Sequence, residues 1–383
     1  MASDVDGWNK TVNGQLVIEL GRNDRLCVTG FVPKNTRQQR EHARSLNIQL
    51  VESKDHDGFS SAELLCFPPD NLNIDVLFIH SHGTNLGRQA QAIKDLKKCK
   101  WVQVVHSFHE ECHTARYENE NELQRKMCEK ADAVIAIGSK TAESCRRALR
   151  YSLKQENLNN LTPSVCEDLI GVRRVYEDLA TFHVLISGSL SHFSIKGCDV
   201  AVKAIKLLNT LSYHLTVVVK SHDETAGITK ALLNEGINSQ QLDVCVAGSR
   251  EEWRKLMCKV DLAIKPSRNE GFGMSGLLAI SADLPVLISE HCGLGMVLKT
   301  LLFGNSHVVD SVKPEVWADR IQQVRDKDPE LRREEAKQLR DGYTQKFNWK
   351  NQCEKVVETL CKLGQKIGMH DSNVTVTVPF VNY

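Results

Sequence analysis

Residues 265–273 read Lys-Pro-Ser-Arg-Asn-Glu-Gly-Phe-Gly and lie between an apolar run at 262–264 and an apolar helical stretch. This strand-loop-helix pattern is typical of open α/β sheets, in which ligands bind beyond the carboxyl ends of the strands. The start of the following helix offers free N–H groups and a partial positive charge, which suit a diphosphate. Gly271 and Gly273 allow the backbone to approach such an anion closely. From spacing alone, an ordinary turn with Glu270 as a helix-start acid is an equally good interpretation.

The same alternation of short apolar runs and helical stretches extends along nearly the whole chain. It predicts parallel sheets covered on both faces. A chain of 383 residues is long enough for two domains of about 150–200 residues each. The alternation stops across Tyr151–Leu179, where asparagines cluster. We therefore predict an N-terminal domain at 1–160, a linker at 161–180, a second α/β domain at 181–330, helices at 331–366, and a tail at 367–383. The tail has β-type composition but no evident place in either sheet.

Composition excludes several classes of protein. Lys and Arg (49) nearly balance Asp and Glu (48), so there is no bulk field to hold nucleic acid, and no nucleic-acid partner is expected. No apolar run approaches the roughly 20 residues of a membrane-spanning helix, and the first residues do not resemble a signal peptide. The 13 cysteines form no CxxC pair, which favours reduced thiols and a cytoplasmic location.

A second strand-loop-helix unit spans Val184–Leu208. Its strand ends at Ser187-Gly188, and Lys196-Gly197 opens the following helix. A lysine at that position could reach phosphate oxygens as a point charge. Taken alone, a solvated surface lysine is the better interpretation. If both units belong to one sheet, the two candidate sites support each other.

A competing motif is the string His109-Glu110-Glu111-Cys112-His113, which matches H-E-x-x-H. On a helix, the two histidines could bind zinc, with Glu110 as the general base of a hydrolase. The string directly follows the apolar run Trp101–Phe108, however, and no well-placed third ligand follows it. We therefore interpret the match as a coincidence and keep a zinc hydrolase as a minor alternative.

Residues 265–273, the helix after them and Leu284–Ser289 closely resemble the signature of the retaining family-four glycosyltransferases, the glycosyl transferases group 1. The resemblance extends to Lys196-Gly197 and to the runs at 101–106 and 131–136, and so covers most of the chain. It implies the GT-B fold, an α/β class in which two Rossmann-like domains with doubly wound parallel sheets face a cleft. The C-terminal domain would hold the nucleotide diphosphate and the N-terminal domain the acceptor, with the terminal helices crossing between them.

The resemblance also implies roles for individual residues. Glu270 would bind donor sugar hydroxyls and His106 would contact the sugar near the reacting carbon, as the two catalytic residues. Fixed cations and amide donors would stabilise the charge that develops on the departing diphosphate. The implied donor-binding residues are Lys196, Gly271, Phe272, Gly273 and Met274, with Gly7, Gly188 and Arg268 as weaker candidates. The expected partners are a nucleotide-sugar donor and an unknown acceptor, and neither a metal nor a cofactor is expected.

Three positions depart from the family pattern. Leu278 stands where a second glutamate usually binds the ribose, Ser189 where an arginine usually binds phosphate, and Met296 where another glutamate is usual. Each lost charged contact is worth roughly 1.5–3 kcal/mol. The chain is therefore predicted to be either a transferase with a weakened donor site or a non-catalytic descendant that binds a nucleotide, a sugar or a partner.

The N-terminus is the largest departure. Family members begin with a strand at the centre of the sheet, followed by a glycine-rich loop. This chain begins at what resembles that loop, Gly7-Trp8-Asn9, and runs into a helical stretch at 12–20. The few polar residues before Gly7 do not suit a buried strand. The domain is therefore remodelled, receives its strand from elsewhere, or belongs to a truncated chain.

Overall fold

The computed structural model describes residues 12–79, 86–108, 115–150, 156–172, 180–365 and 373–380. The chain divides into two units, and each has its own parallel sheet. Unit 1 consists of Met1–Pro163 together with Trp349–Tyr383, and unit 2 consists of Ser164–Asn348. The predicted α/β class with two parallel sheets is confirmed.

Unit 1 contains a seven-stranded parallel sheet with the order β2-β1-β13-β3-β4-β5-β6. Its strands are β1 (Leu26–Val32), β2 (Ile48–Glu52), β3 (Val76–Ile79), β4 (Lys100–Val105), β5 (Ala133–Ile137), β6 (Leu158–Leu161) and β13 (Val374–Pro379). Its helices are α1 (Val12–Gly21), α2 (Arg37–Ser45), α3 (Ser61–Leu64), α4 (Gly87–Lys97), α5 (Ala115–Lys130), α6 (Ser139–Ala148) and α14 (Trp349–Gly364). The inner strands are apolar on both faces because helices cover the sheet on each side.

The strand at the centre of this sheet comes from the far end of the chain. β13 pairs in parallel with β1 on one side, where Val376 lies opposite Val28, and with β3 on the other, where it lies opposite Val76. Its β-branched residues suit a strand that is buried on both faces, and Val376, Thr377 and Val378 have no exposed surface. The prediction that the tail has no place in either sheet is therefore wrong. The domain described as lacking its central strand has one, and β13 supplies it.

Helix α14 leads the chain back into unit 1 before β13 begins. Its side chains hold the sheet edge: Gln352 accepts a hydrogen bond from the backbone N–H of Thr162 at 3.0 Å, and Thr359 accepts one from Asn159 at 3.0 Å. Gly364, at the end of α14, packs so closely on β13 that a Cβ there would lie 2.2 Å from a methyl carbon of Val374. Of the helices predicted at 331–366, only α14 belongs to unit 1.

Unit 2 contains a six-stranded parallel sheet with the order β12-β11-β10-β7-β8-β9. Its strands are β7 (Phe182–Ser187), β8 (Tyr213–Val219), β9 (Leu242–Val246), β10 (Leu262–Lys265), β11 (Val286–Ser289) and β12 (Val308–Val309). Its helices are α7 (Cys198–Leu207), α8 (Thr225–Asn234), α9 (Arg250–Met257), α10 (Met274–Ser281), α11 (Gly293–Leu298), α12 (Pro314–Asp326) and α13 (Pro329–Lys346).

The strand order of unit 2 reverses between β7 and β10. β7 leads to β8 and β9 on one side, and β10 leads to β11 and β12 on the other. Loops that leave two adjacent strands in opposite directions open a crevice at the carboxyl edge of the sheet. The loops at 188–197 and 266–273, which sequence analysis singled out, follow these two strands.

Two further expectations concern membrane-spanning helices and the cysteines. In the part of the chain that the structure describes, no helix is long and apolar enough to cross a membrane. The cysteines of the same residues are all free thiols.

Candidate functional site

The loops at 188–197 and 266–273 follow the two strands between which the strand order of unit 2 reverses, the switch point of the sheet. These two loops are in direct contact with each other. The backbone N–H of Arg268 donates to the carbonyl of Ile195 at 2.9 Å. Gly197 has a φ of 72°, and a Cβ there would lie 2.1 Å from the carbonyl oxygen of Pro266. Only glycine accommodates both the backbone conformation and the close approach. The lysine that precedes it, Lys196, is thereby held against the second loop.

Arg268, a weaker donor-binding candidate in the sequence analysis, also helps to hold the two loops together. Its guanidinium group forms a bidentate ion pair with Asp199 of α7, with distances of 2.8 Å from Nη1 to Oδ1 and 2.7 Å from Nη2 to Oδ2. It also donates to the carbonyl of Ser194. This geometry is the preferred one for arginine and carboxylate, so the guanidinium group is occupied by the scaffold.

Two lysines converge on one oxygen of Glu270. Lys196 Nζ lies 2.5 Å from Oε2 of Glu270, and Lys265 Nζ lies 3.0 Å from the same atom. The Lys265 side chain is only 5% exposed, whereas that of Lys196 is 28% exposed. Lys265 also donates to Ser275 Oγ at 3.3 Å, and that hydroxyl lies 2.9 Å from Ser187 Oγ. We call Lys196, Lys265 and Glu270 the Glu270 cluster.

The charges of the Glu270 cluster are strongly coupled. Burial alone would raise the pKa of the Glu270 carboxyl, but the ammonium groups of Lys265 and Lys196 outweigh burial and hold that pKa well below its usual range. Burial and the charge of Lys265 lower the pKa of Lys196. For Lys265, burial is opposed by Glu270, which raises its pKa. Two cations and one anion leave one positive charge in excess, which suits an anionic ligand.

Helix α10 starts directly beside this cluster. Its N-cap residue, Gly273, has a φ of 106°, and no side chain caps the helix. Within the described residues, the N–H groups of Phe272, Gly273 and Met274 donate no hydrogen bond. Open N–H groups at a helix start form a favourable site for phosphate oxygens. The amides that sequence analysis assigns to phosphate binding lie at the start of α10, next to the excess positive charge.

The loop after β11 holds residues 270–273 in this conformation. Gly293 N donates to the carbonyl of Glu270 at 3.2 Å, and Leu294 N donates to that of Phe272 at 2.6 Å. Burial raises the pKa of the Cys292 thiol to about 11, so it stays protonated and donates to the Phe272 carbonyl at 2.9 Å. Because the carbonyl groups of this loop turn towards α11, its amides remain available to a ligand.

The other singled-out positions of unit 2 have different surroundings. A Cβ on Gly188 would lie 2.7 Å from Val217 and 2.8 Å from Ile228, so this glycine serves core packing. Ser189, in place of the usual arginine, lies 3.1 Å from Ser191 through their hydroxyl oxygens. Leu278 is half-buried on α10, and Met296 is 37% exposed on α11.

The remaining predicted residues lie in unit 1 or outside the described residues. His106 directly follows β4, and its carbonyl accepts a hydrogen bond from Thr141 Oγ1 at 3.3 Å. Gly7 and the string His109–His113 fall outside the described ranges, so the zinc alternative has no structural account here. Across the residues that are described, no group of three or more His, Cys, Asp or Glu side chains is arranged to hold a metal ion.

Sequence reasoning missed the role of Lys265. It assigned this residue only to the end of a strand, whereas the structure places its ammonium group on Glu270. The available signal was a charged residue that closes the apolar run Leu262–Ile264 directly before Pro266. A buried lysine requires an anionic or polar partner. The sequence therefore indicates that Lys265 has such a partner, but it does not identify which carboxylate that is.

Comparisons with known proteins agree with this fold. The family model for "Family 4 Glycosyltransferase in conflict systems" matches residues 6–356. A D-inositol 3-phosphate glycosyltransferase of Corynebacterium urealyticum is 22% identical over 366 residues, which cover 89% of this chain and 82% of that protein.

Solved structures with similar folds include HepE of Anabaena and a sucrose-phosphate synthase. HepE of Anabaena, in complex with UDP and glucose, matches with a TM-score of 0.67 and 14% identity, over 90% of this chain and 95% of HepE. Sucrose-phosphate synthase from Thermosynechococcus elongatus matches with a TM-score of 0.67 and 15% identity, over 91% of this chain and 92% of that one. The predicted GT-B fold class is confirmed.

Proposed function

The chain belongs to the family 4 glycosyltransferases of conflict systems, and from that premise we propose that unit 2 binds the diphosphate of a nucleotide-sugar at the Glu270 cluster. We further propose that the protein transfers the sugar to an acceptor with retention of its anomeric configuration. The observation that carries the proposal is the excess positive charge beside the open start of α10.

The proposed chemistry follows from the charges of the cluster. Departure of a nucleoside diphosphate builds negative charge on its terminal phosphate, and fixed donors stabilise that charge in the transition state. Lys196 and the amides of Phe272, Gly273 and Met274 would supply this stabilisation. Glu270 is ionised and would accept hydrogen bonds from sugar hydroxyls. Lysine and amide groups would thereby replace the divalent ion that other transferases use.

Thermal stability in the presence of nucleotide-sugars tests donor binding. We expect a UDP- or GDP-sugar, added with EDTA, to raise the melting temperature, since a ligand at 100 times its Kd adds about 2.7 kcal/mol of stability. Lys196→Ala should abolish the shift, whereas Lys299→Ala, which alters an exposed ion pair with Glu290, should preserve it. An unchanged melting temperature with a complete panel of donors would exclude donor binding.

His106 is proposed to act on the transferred sugar. The substitution His106→Ala should leave binding of UDP to unit 2 unchanged and lower the rate of donor turnover at least tenfold. Proton NMR of the released or transferred sugar would report its anomeric configuration. An inverted product, or a variant with wild-type turnover, would contradict these assignments.

A binding module without turnover is the second candidate function. It is favoured by Leu278 and Ser189, which supply neither the carboxylate nor the cation usual in the family. Leu278→Glu separates two versions of this site: tighter nucleotide binding would indicate an ordinary ribose pocket that has lost its acid. Weaker or unchanged binding would indicate a rebuilt pocket. Binding of a nucleotide-sugar without hydrolysis or transfer would favour the module.

A further inference from the structure

We propose that Lys265 is a positioning residue that holds Glu270 as a carboxylate when Lys196 leaves it for a phosphate of the donor. This inference rests on the proposed function and assigns different roles to the two lysines. Lys196 exchanges Glu270 for a phosphate during donor binding, whereas Lys265 stays on Glu270.

The different exposure of the two lysines supports these different roles. Both contact Oε2 of Glu270, but the Lys265 side chain is only 5% exposed and comes from the end of β10, beneath the loop. The Lys196 side chain is 28% exposed and comes from the loop before α7. A ligand that enters from solvent therefore reaches Lys196 before Lys265.

Hydrogen bonds beneath the cluster keep Lys265 in place. Its ammonium group donates to Ser275 Oγ at 3.3 Å and forms the ion pair with Glu270, and the Ser275 hydroxyl lies 2.9 Å from that of Ser187. These contacts join Glu270 to the first turn of α10 and to the end of β7. Among the described residues, no hydrogen bond is made to Oε1 of Glu270, which leaves that oxygen to accept one from a ligand.

Electrostatics favour an exchange at Lys196. The two ammonium groups share one oxygen atom and repel each other, and a phosphate oxygen would give Lys196 an anion of its own. If Lys196 were the only cation, its departure would strand a buried carboxylate, which would then take up a proton. A protonated carboxyl is a weaker acceptor for sugar hydroxyls. Lys265 prevents this loss.

The first test measures the ionisation of Glu270 without any ligand. Lys196 and Lys265 face Glu270 directly, and the thiols of Cys292 and Cys198 lie beside the lysines. Burial raises the pKa of both thiols to about 11, so the thiols remain neutral below pH 8. The wild-type Glu270 pKa lies below that of the unfolded chain, roughly 4.3. The stabilising effect of the ionised Glu270 carboxylate is therefore constant from pH 5.5 to 8 and is lost only at lower pH.

The double variant Lys196→Met/Lys265→Met should change this pH dependence, because neither lysine then remains on Glu270. Burial would then dominate and raise the Glu270 pKa above its unfolded value, so the melting temperature should fall by a few degrees as the pH rises from 5.5 to 8. Adding Glu270→Gln to this double variant should remove that slope. Lys196→Met alone should retain the flat pH dependence of the wild type because Lys265 still holds the carboxylate, and it keeps the test decisive if the double variant does not fold. A sloping course for Lys196→Met would overturn the proposal.

The second test uses UDP as the probe and isothermal titration in buffers of different ionisation enthalpy. At pH 7 the wild type should bind UDP with little proton uptake at Glu270. Lys265→Met should bind UDP at least tenfold more weakly and take up close to one proton, and the Glu270→Gln double variant should lose this uptake. Lys299→Met should behave as the wild type. Wild-type affinity without proton uptake in Lys265→Met would contradict the proposal.

The two tests separate this inference from the proposed function. If the wild type binds neither UDP nor GDP, the proposed donor site is wrong, and with it the exchange at Lys196. The ligand-free melting curves still decide whether Lys265 alone keeps Glu270 ionised. If the wild type binds UDP but the melting temperature of Lys196→Met falls as the pH rises from 5.5 to 8, only the role of Lys265 is wrong.

Discussion

At the scale of single residues, Glu270 determines the properties of the candidate site. One of its oxygens forms ion pairs with two ammonium groups, and one of these, that of Lys265, is almost fully buried. Removal of the carboxylate would leave a buried cation without an anionic partner, which is far more unfavourable than the loss of an exposed ion pair.

We therefore expect Glu270→Gln to lower the free energy of unfolding of unit 2 by about 3–5 kcal/mol. The matched control is Glu290→Gln, which removes the anion of the exposed pair with Lys299 and should cost about 0–1 kcal/mol. Urea denaturation of both variants provides the comparison. Equal losses would show that the Glu270 cluster contributes no more than a surface pair.

The backbone at Gly273 leads to a second prediction. Gly273→Ala would place a Cβ 2.4 Å from Cys292 Sγ at a φ of 106°, so it should lower the free energy of unfolding by at least 1–3 kcal/mol, roughly the strain of such a conformation. Gly342→Ala is the control, since it lies inside α13 with no atom within 4 Å of the new Cβ.

Gly342→Ala should stabilise the protein by about 0.5–1 kcal/mol through helix propensity. Only the Gly273 variant should also lose binding of UDP, because the amides of its loop would move. Thermal melting and titration with UDP measure the two effects. Retention of UDP binding by a destabilised Gly273→Ala protein would argue against the role of these amides.

The sequence identifies some residues of the site and misses others for a physical reason. Lys196 and Glu270 stand out because they lie next to glycines at strand-to-helix turns, and the structure brings them into contact at 2.5 Å. Lys265 belongs to a strand, and the direction of its side chain depends on register and on the neighbouring loop. Neither is encoded within a few residues of Lys265, so its contact with Glu270 could not be inferred locally.

At the scale of elements, the sequence predicts that β13 is a strand but does not predict its position in the sheet. The alternation of valine and threonine at 374–378 indicates a strand correctly. Its position in the sheet depends on pairing with β1 and β3, which lie about 350 and about 300 residues earlier in the chain and share no local pattern with it. Parallel partners are joined by long connections, so the place of a strand follows from the whole topology.

The packing of β13 can be tested with one substitution. Val376→Ala should lower the free energy of unfolding of unit 1 by about 2–3 kcal/mol, because the lost methyl groups are fully buried on a strand at the centre of the sheet. Val312→Ala removes the same atoms at a position that is 37% exposed and should change it by less than about 0.5 kcal/mol. Similar effects at both sites would argue against a central place for β13.

At the scale of the whole molecule, the two units depend differently on the end of the chain. Unit 2 is one continuous segment, whereas unit 1 needs α14 and β13 to complete its core. The Glu270 cluster and the loops around it lie wholly within unit 2, since their residues come from the end of β10 and from the loops after β7, β10 and β11.

A chain that ends at Gly364 should therefore lose the structure of unit 1 but retain that of unit 2. Hydrogen exchange should show fast exchange in β1 and β3 and continued protection in β7 and β10. A synthetic peptide of residues 365–383 should restore protection of unit 1, and the same peptide with Val376→Asp should not. Full protection of β1 and β3 in the shortened chain would contradict the central role of β13.

The position of β13 also has a consequence for synthesis on the ribosome. β1 and β3 leave the ribosome early, but the strand that belongs between them is made about 350 residues after β1 and about 300 residues after β3. At translation rates of about 5–20 residues per second, that delay is roughly 15–70 s. During this time the nascent chain carries two unpaired inner strand edges, which are prone to association with other chains. Unit 2, although it comes later in the sequence, can finish folding before unit 1, and chaperones that shield open strand edges should bind the emerging chain until residue 379 is released.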